Sequence, residues 1–211
     1  MWASFDSFKI DIMDIAEKVL RFWFGDDDIV EATALGRFDL WFGKSPETDG
    51  VVKEKFLESV ERAGRGEYDS WQMTSKGCLA LIVLLDQFPR NIFRDTPRMF
   101  EYDEKVLASC LGGLQTGVDK DLNPFEKLFF YMPMEHSEKI ECQELSLKYF
   151  EKLLDESPED FKQTFKTVYD YAVRHHEIIR KFGRFPHRNK ILGRESTDEE
   201  VEFLKEPGSS F

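Results

Sequence analysis

The residues best able to do chemistry are concentrated in residues 174–194, here called the basic segment. This segment holds seven cations and one acid, Glu177, although the formal net charge of the whole chain is −12. It also contains three of the four histidines, His175, His176 and His187. Arginine binds carboxylates and phosphates through paired hydrogen bonds, so the segment predicts a site for a small anionic ligand. Alternatively, these cations pair with acids elsewhere in the fold and form a structural network.

A second polar cluster ends the most apolar stretch of the chain. Asp86 follows Val83 and Ile82 by three and four residues, which places it on an apolar face of a predicted helix. A carboxylate in such a place is desolvated unless a cation pairs with it. Pairing with Arg90, or with a cation of the basic segment, would keep Asp86 ionised. Isolation would raise its pKa and make it a candidate acid or base.

The two clusters resemble each other in sequence. Phe88-Pro89-Arg90-Asn91 and Phe185-Pro186-His187-Arg188-Asn189 each place Phe-Pro at a predicted helix end and then present Arg-Asn. One hypothesis is that they form two analogous corners facing one cavity. The competing interpretation is that helix ends resemble each other by chance.

A third cluster is Glu135-His136-Ser137-Glu138. Pro133 predicts the end of the preceding helix, and Ser137 is a candidate cap for the next one. His136 at this helix start could act as a hydrogen-bond donor or base, or could simply pack. Capping is the favoured role of Ser137 and Glu138.

These clusters define a predicted small-molecule site, in which arginines hold an anion and another group moves a proton. His175 shares a helix face with Ile178 and Ile179, so it should be buried, and a buried histidine is more often a core residue than a catalyst. The predicted catalytic residues are Asp86, His175 and His187. The predicted ligand-binding residues are Gln87, Arg90, Asn91, His136, Arg184, Arg188 and Asn189.

No metal or cofactor is expected. The chain has no H-E-x-x-H motif, no cysteine cluster and no acidic calcium loop. Adjacent His175 and His176 would point about 100° apart on a helix, so they are poorly placed to chelate one ion. Gly112-Gly113 lacks the strand and spacing of a phosphate-binding loop.

Helical periodicity dominates the chain, and no alternating run bounded by hairpin residues is present. The sequence therefore predicts an all-α fold of about eight or nine helices. Asn123-Pro124 with Glu126, and Thr197 with Glu200, have the spacing of capping boxes. Ser157-Pro158 predicts another helix start, and Asp103 a further N-cap. Gly183 is a natural C-cap for the long helix before it.

Length and composition limit the classes of protein. A chain of 211 residues suits one all-helical domain, residues 1–211. Its acidity argues against nucleic acid and anionic membranes as partners. Three widely spaced cysteines, Cys78, Cys110 and Cys142, are expected to be reduced thiols. No signal peptide or membrane span is recognised, so we expect a cytoplasmic protein.

Several longer motifs resemble a known family. They are Phe22-Trp23-Phe24-Gly25, Leu79-Ala80-Leu81-Ile82, Leu84-Leu85-Asp86-Gln87-Phe88-Pro89-Arg90-Asn91, Glu135-His136-Ser137-Glu138, Arg174-His175, Phe182-Gly183-Arg184-Phe185-Pro186-His187-Arg188-Asn189 and Pro207-Gly208-Ser209-Ser210-Phe211. Together they are similar to the bacterial domain-of-unknown-function family nine-two-four (DUF924). The resemblance implies an all-helical fold of the tetratricopeptide-repeat-like (TPR-like) superfamily. It implies no reaction.

Two functions remain open from the sequence. The first is a small-molecule site for an anionic ligand, which could also be enzymatic. The second is an interaction module that binds a protein or peptide along a helical groove, as many TPR-like folds do. A closed polar pocket favours the first and an open apolar groove the second. The polar residues gather at helix ends and do not stripe one helix face, which favours the first. A purely structural scaffold would explain the charges but not these polar motifs.

Overall fold

Helices form the regular structure of the computed structural model, which describes residues 15–25 and 36–210. No strand occurs in these ranges, and the predicted all-α class is confirmed. Short 3₁₀ turns such as Pro97–Phe100 and Pro186–Arg188 join some of the helices. The helices are α1 (residues 15–24), α2 (Phe38–Phe42), α3 (Pro46–Gly64), α4 (Ser75–Ile82), α5 (Phe88–Ile92), α6 (Asp103–Thr116), α7 (Pro124–Glu135), α8 (Ile140–Glu156), α9 (Lys162–Phe182), α10 (Asn189–Leu192) and α11 (Asp198–Phe203).

Three helix boundaries follow from the residues predicted to set them. Asn123 caps α7 through a complete capping box with Glu126. Thr197 caps α11 through the same arrangement with Glu200. Gly183 ends α9 in the left-handed region at φ 68°, a conformation in which glycine avoids a steric penalty.

Four local predictions are wrong. Helix α7 continues through Pro133 to Glu135, and α8 begins only at Ile140, so Ser137 is not its N-cap. Ser157 ends α8, because a 3₁₀ turn at Glu159–Phe161 separates Pro158 from α9. The N-cap of α6 is Tyr102, which makes Asp103 the first helical residue.

The centre of the fold is the apolar rod formed by α4, the following turn and α5. Residues 77–89 are all buried, which fits the nearly unbroken apolar sequence. Aromatic rings surround the rod: Phe88 lies 5.6 Å from Trp23 and 4.6 Å from Phe56, measured between ring centroids. Phe129 of α7 meets Trp23 at 5.5 Å. The abundant phenylalanines thus form an aromatic core of edge-to-face and tilted ring pairs around the segment that carries Asp86.

The carboxyl-terminal part packs α9 along α8, and α8 along α7. A smaller apolar cluster of Ile178, Ile179 and Phe185 lies at the end of α9. Hydrogen bonds from the Phe185 N–H and from Arg188 join the residues after Gly183 to the third polar cluster at the end of α7.

Within the described ranges, no helix is both long and apolar enough to cross a membrane. Cys78, Cys110 and Cys142 are buried free thiols. Burial raises the pKa of Cys78 to about 12, so this thiol stays protonated and unreactive at neutral pH.

Candidate functional site

A turn of π-helix presents Asp86. Residues Val83–Gln87 form this turn between α4 and α5, and the Phe88 N–H donates to the Val83 carbonyl five residues earlier. Pro89 lacks an N–H, so it cannot continue the α-helical ladder to Leu85. Such π-turns inside helices are frequent at functional sites.

The Asp86 carboxylate is fully buried and has three polar neighbours. Its Oδ1 lies 2.8 Å from His136 Nδ1 and 3.3 Å from Arg90 Nη1. Gln87 Nε2 donates to its Oδ2 at 2.5 Å. Burial raises the pKa of this carboxyl, but Arg90 and His136 outweigh burial and lower the pKa to about 2. Asp86 is therefore an ion at neutral pH.

His136 caps the carboxyl end of α7 and is hydrogen-bonded to Asp86. Burial lowers the pKa of His136 by more than the Asp86 charge raises it, so the ring is neutral at neutral pH. An ionised carboxylate can only accept, which places the single ring proton on Nδ1. Nε2 then carries a lone pair, and the one side-chain hydrogen bond of His136 with a described residue is the bond at Nδ1. The side chain is 17% exposed.

Arg90 and Arg188 meet at one carboxylate, that of Asp103. Arg90 donates to Asp103 from Nη1 at 3.1 Å and from Nη2 at 3.5 Å. Arg188 Nη1 donates to Asp103 Oδ2 at 3.3 Å. The two motifs that are similar in sequence are thus brought together in the fold, with the Asp103 carboxylate between their guanidinium groups. The Asp103 side chain is 20% exposed.

Arg188 is held by rings and by the backbone of the third cluster. Its guanidinium carbon lies 4.6 Å from the centroid of the Phe100 ring and 4.5 Å from that of Phe185. Its Nη2 donates to the His136 carbonyl at 2.9 Å, while its buried Nε has no hydrogen-bond partner among the described residues. Burial lowers the pKa of Arg188 to about 10, which leaves the group charged at neutral pH.

Other arginines near the two corners make shorter ion pairs. Their Nη and Nε atoms lie 2.5 to 3.0 Å from carboxylate oxygens, the range of strong charge-assisted bonds. The structural-network interpretation describes these cations well, since each is matched by an acid. By contrast, every contact of Arg90 and Arg188 with Asp103 is 3.1 Å or longer. The shorter pairs are Arg94 with Asp49, Arg184 with Glu200, and Arg194 with Glu138.

Three residues predicted to bind ligand lie in these other pairs. Asn91 donates to Asp49 beside Arg94. Arg184 and Asn189 both donate to Glu200, the acid of the second capping box. The structure thus separates them from the group formed by Asp86, Gln87, Arg90, His136 and Arg188.

The two other predicted catalytic histidines lie near this group. His175 is buried as predicted, with Nδ1 2.9 Å from Glu135 Oε1 and 2.9 Å from the Tyr171 carbonyl. Its ring centroid is 6.3 Å from that of His136. His187 packs 5.6 Å from Phe185, and burial together with the Arg188 charge lowers its pKa to about 3.

Asp103 and Glu135 are site residues that the sequence prediction missed. An aspartate at a helix start is most often a cap, so the pattern at Asp103 gave no reason to assign it a partner. Glu135 belongs to the third motif, but nothing in the spacing connects it to His175, forty residues later on α9.

Two further features of the described ranges bear on function. No group of three or more histidine, cysteine, aspartate or glutamate side chains there could hold a metal ion. An open, mainly apolar groove of about 260 Å³ lies between α6 and α8, away from Asp86. Its lining residues are Leu111, Leu114, Gln115, Leu145 and Tyr149.

Comparison with known proteins gives a family without an assigned activity. Residues 19–208 match the family model described as bacterial protein of unknown function, DUF924. A solved structure of a protein of unknown function from Agrobacterium tumefaciens superposes with a TM-score of 0.79 at 31% sequence identity. That match covers 92% of this chain and 99% of the other. No curated protein matches the chain.

Proposed function

The chain belongs to the DUF924 family of bacterial proteins, whose function is unknown, and we propose that it binds a small molecule with one anionic group. The proposed binding groups are the guanidiniums of Arg90 and Arg188. The ligand's anionic group is a carboxylate or phosphate, since both accept paired hydrogen bonds from arginine.

One observation carries this proposal: two arginines from distant parts of the chain share a single, partly exposed carboxylate at long distances. Asp103 marks the position where an anion meets both groups. A ligand carboxylate at this position could approach to 2.7–2.9 Å, the usual charge-assisted range, and so compete with Asp103. The buried Nε of Arg188 offers a further donor that no residue in the described part of the chain uses.

The cytoplasmic setting and the TPR-like assignment are also proposals. Three buried free cysteines support a reducing compartment. The apolar groove between α6 and α8 supports the alternative function, a protein or peptide interaction module.

The test is thermal unfolding of the purified chain against a panel of small carboxylates and phosphates. Arg188→Lys keeps the charge but loses the planar fork, and Arg184→Lys is the matched control in the Glu200 pair. At one hundred times its dissociation constant, a ligand stabilises by about 2.7 kcal/mol, which raises the midpoint of a domain this size by about 5–10 °C.

We expect one chemical class of anion to raise the midpoint for the wild type and for Arg184→Lys. The increase should be lost in Arg188→Lys. An increase that survives in Arg188→Lys, or no response to any anion, would refute the anion site and leave the interaction module as the function to test.

A further inference from the structure

We infer that His136 is a general base, positioned by Asp86, that removes a proton from the ligand bound at Arg90 and Arg188. This inference rests on the proposed ligand site. It assigns that site an activity, proton transfer, and a substrate class: a small carboxylate or phosphate with an acidic O–H or C–H close to its anionic group.

The first argument is that Asp86 fixes the orientation of the imidazole. Gln87 and Arg90 hold the carboxylate while its Oδ1 accepts the Nδ1 proton of His136. The π-turn that carries Asp86 lies in the most buried part of the chain, so the carboxylate has little freedom to move. A buried carboxylate that fixes one histidine tautomer is a recurring way to direct Nε2 at a substrate.

The second argument is proximity to the anion site. Arg188 Nη2 donates to the main-chain oxygen of His136 at 2.9 Å. Arg90 Nη1 contacts the same Asp86 oxygen that binds the imidazole. Arg188 thus contacts the backbone of His136 and Arg90 contacts its carboxylate partner, so we place an anion held between the two guanidiniums near the ring. The proton to be removed must then lie within a few bonds of the anionic group.

The third argument is that the ring is in the form a base requires. The charged and titratable groups around it come from several elements: Asp86 and Arg90 from the central rod, Glu135 from α7, Asp103 from α6, Arg188 from the turn after α9 and His175 from α9. Burial dominates over these groups and lowers the pKa of His136. The ring is therefore neutral, with its lone pair on Nε2, which no residue of the described ranges contacts through a hydrogen bond.

The proposed step is a simple proton transfer. The ligand's O–H or C–H bond breaks, its electron pair stays on the ligand, and an N–H bond forms at Nε2. Asp86 stabilises the imidazolium that results, and the two arginines stabilise the added negative charge on the ligand. The imidazolium then returns its proton to product or solvent.

The test measures the tautomer and the reactivity of His136 in the full chain. Long-range ¹H–¹⁵N NMR at pH 7 assigns the protonated ring nitrogen. Diethyl pyrocarbonate acylates unprotonated imidazole nitrogens, and peptide mass mapping gives its rate at His136 across pH. His136→Gln identifies the signals, and Asp86→Asn removes the group that fixes the tautomer. Acylation is repeated with phosphate and acetate at high concentration.

We expect a neutral ring protonated at Nδ1, and an acylation rate that rises to half its maximum below pH 6.5. Asp86→Asn should slow acylation at pH 7 about tenfold, because an amide can donate to Nδ1 and move the ring proton to Nε2. If Asp86→Asn does not fold, the tautomer of His136 in the wild type decides whether the inference holds. A proton on Nε2, a charged ring at pH 7, or an unreactive His136 would overturn the inference.

Protection by anions separates this inference from the function it rests on. Slower acylation of His136 in phosphate or acetate, with the expected tautomer, supports both. A reactive, correctly protonated His136 that neither anion protects contradicts the ligand site and, with it, the assigned substrate class. Protection combined with the wrong tautomer leaves the ligand site intact and overturns the general base.

Discussion

The titratable residues of the site differ in whether they carry a charge at neutral pH. Asp86 remains ionised because the Arg90 charge and the hydrogen bonds from His136 and Gln87 outweigh its burial, whereas His136 and His187 remain neutral because burial makes their charged forms costly. Asp86 therefore cannot exchange protons near neutral pH, and its effect on a ligand acts through His136. Arg188 remains charged at neutral pH.

His187 should make stability depend on pH. Its pKa is about 6.5 in the unfolded chain and about 3 in the fold, so below pH 6.5 the unfolded state binds a proton that the native state does not. The stability from a neutral His187 is complete above pH 6.5 and is lost as pH falls towards 3. In urea unfolding, His187→Gln should reduce the slope of stability between pH 6 and 5 by up to about 1.4 kcal/mol per pH unit.

The two proteins should show the same pH dependence between pH 7.5 and 8.5, where neither state takes up this proton. This range serves as the internal control, because it cancels any constant cost of the substitution. Equal slopes for both proteins between pH 6 and 5 would mean that His187 titrates in the fold much as it does in the unfolded chain.

At the scale of elements, close helix crossings keep the central rod in place. In α6, a side-chain carbon at Gly113 would lie 2.6 Å from Cζ of Phe130 and 3.3 Å from Sγ of Cys78. The same carbon at Gly112 would meet nothing within 4 Å. Gly113 is thus the point where α6 approaches α4 and α7, and Gly112 is an ordinary helical residue.

Alanine at these neighbouring positions should have opposite effects on stability. Gly113→Ala should destabilise by about 1–3 kcal/mol, because the ring of Phe130, which is fully buried, would have to shift to admit the new carbon. Gly112→Ala should stabilise by about 0.5–1 kcal/mol, because alanine loses less backbone entropy in a helix. Urea midpoints of the two variants measure both effects. A stabilising Gly113→Ala would show that the crossing is looser than described.

At the scale of the whole molecule, the sequence predicts the architecture better than the site. Periodicity and capping boxes are local signals, so the all-α class and the starts of α7 and α11 could be predicted. The end of α7 could not, because tertiary packing carries the helix through Pro133.

The site, like the fold, could be predicted from the sequence only in part. The similarity of the two motifs led to the hypothesis that Arg90 and Arg188 face one cavity. In the structure both arginines contact the same carboxylate. What joins them is Asp103, on a helix between the two motifs, and no local pattern identifies a partner so far away in sequence. The excess of cations in the basic segment was also misleading for Arg184, because its partner Glu200 lies just beyond the segment.

Asp103→Asn most directly tests whether Asp103 holds the place of a ligand anion. Isothermal titration calorimetry with phosphate and acetate would compare the wild type, Asp103→Asn and the control Asp49→Asn. Asp49 suits this comparison, since it is 18% exposed and pairs with Arg94 at shorter distances. Removing the competing charge should tighten anion binding about tenfold, equal to about 1.4 kcal/mol, in Asp103→Asn alone. Equal or weaker binding by Asp103→Asn, or the same gain in Asp49→Asn, would contradict the proposed anion site.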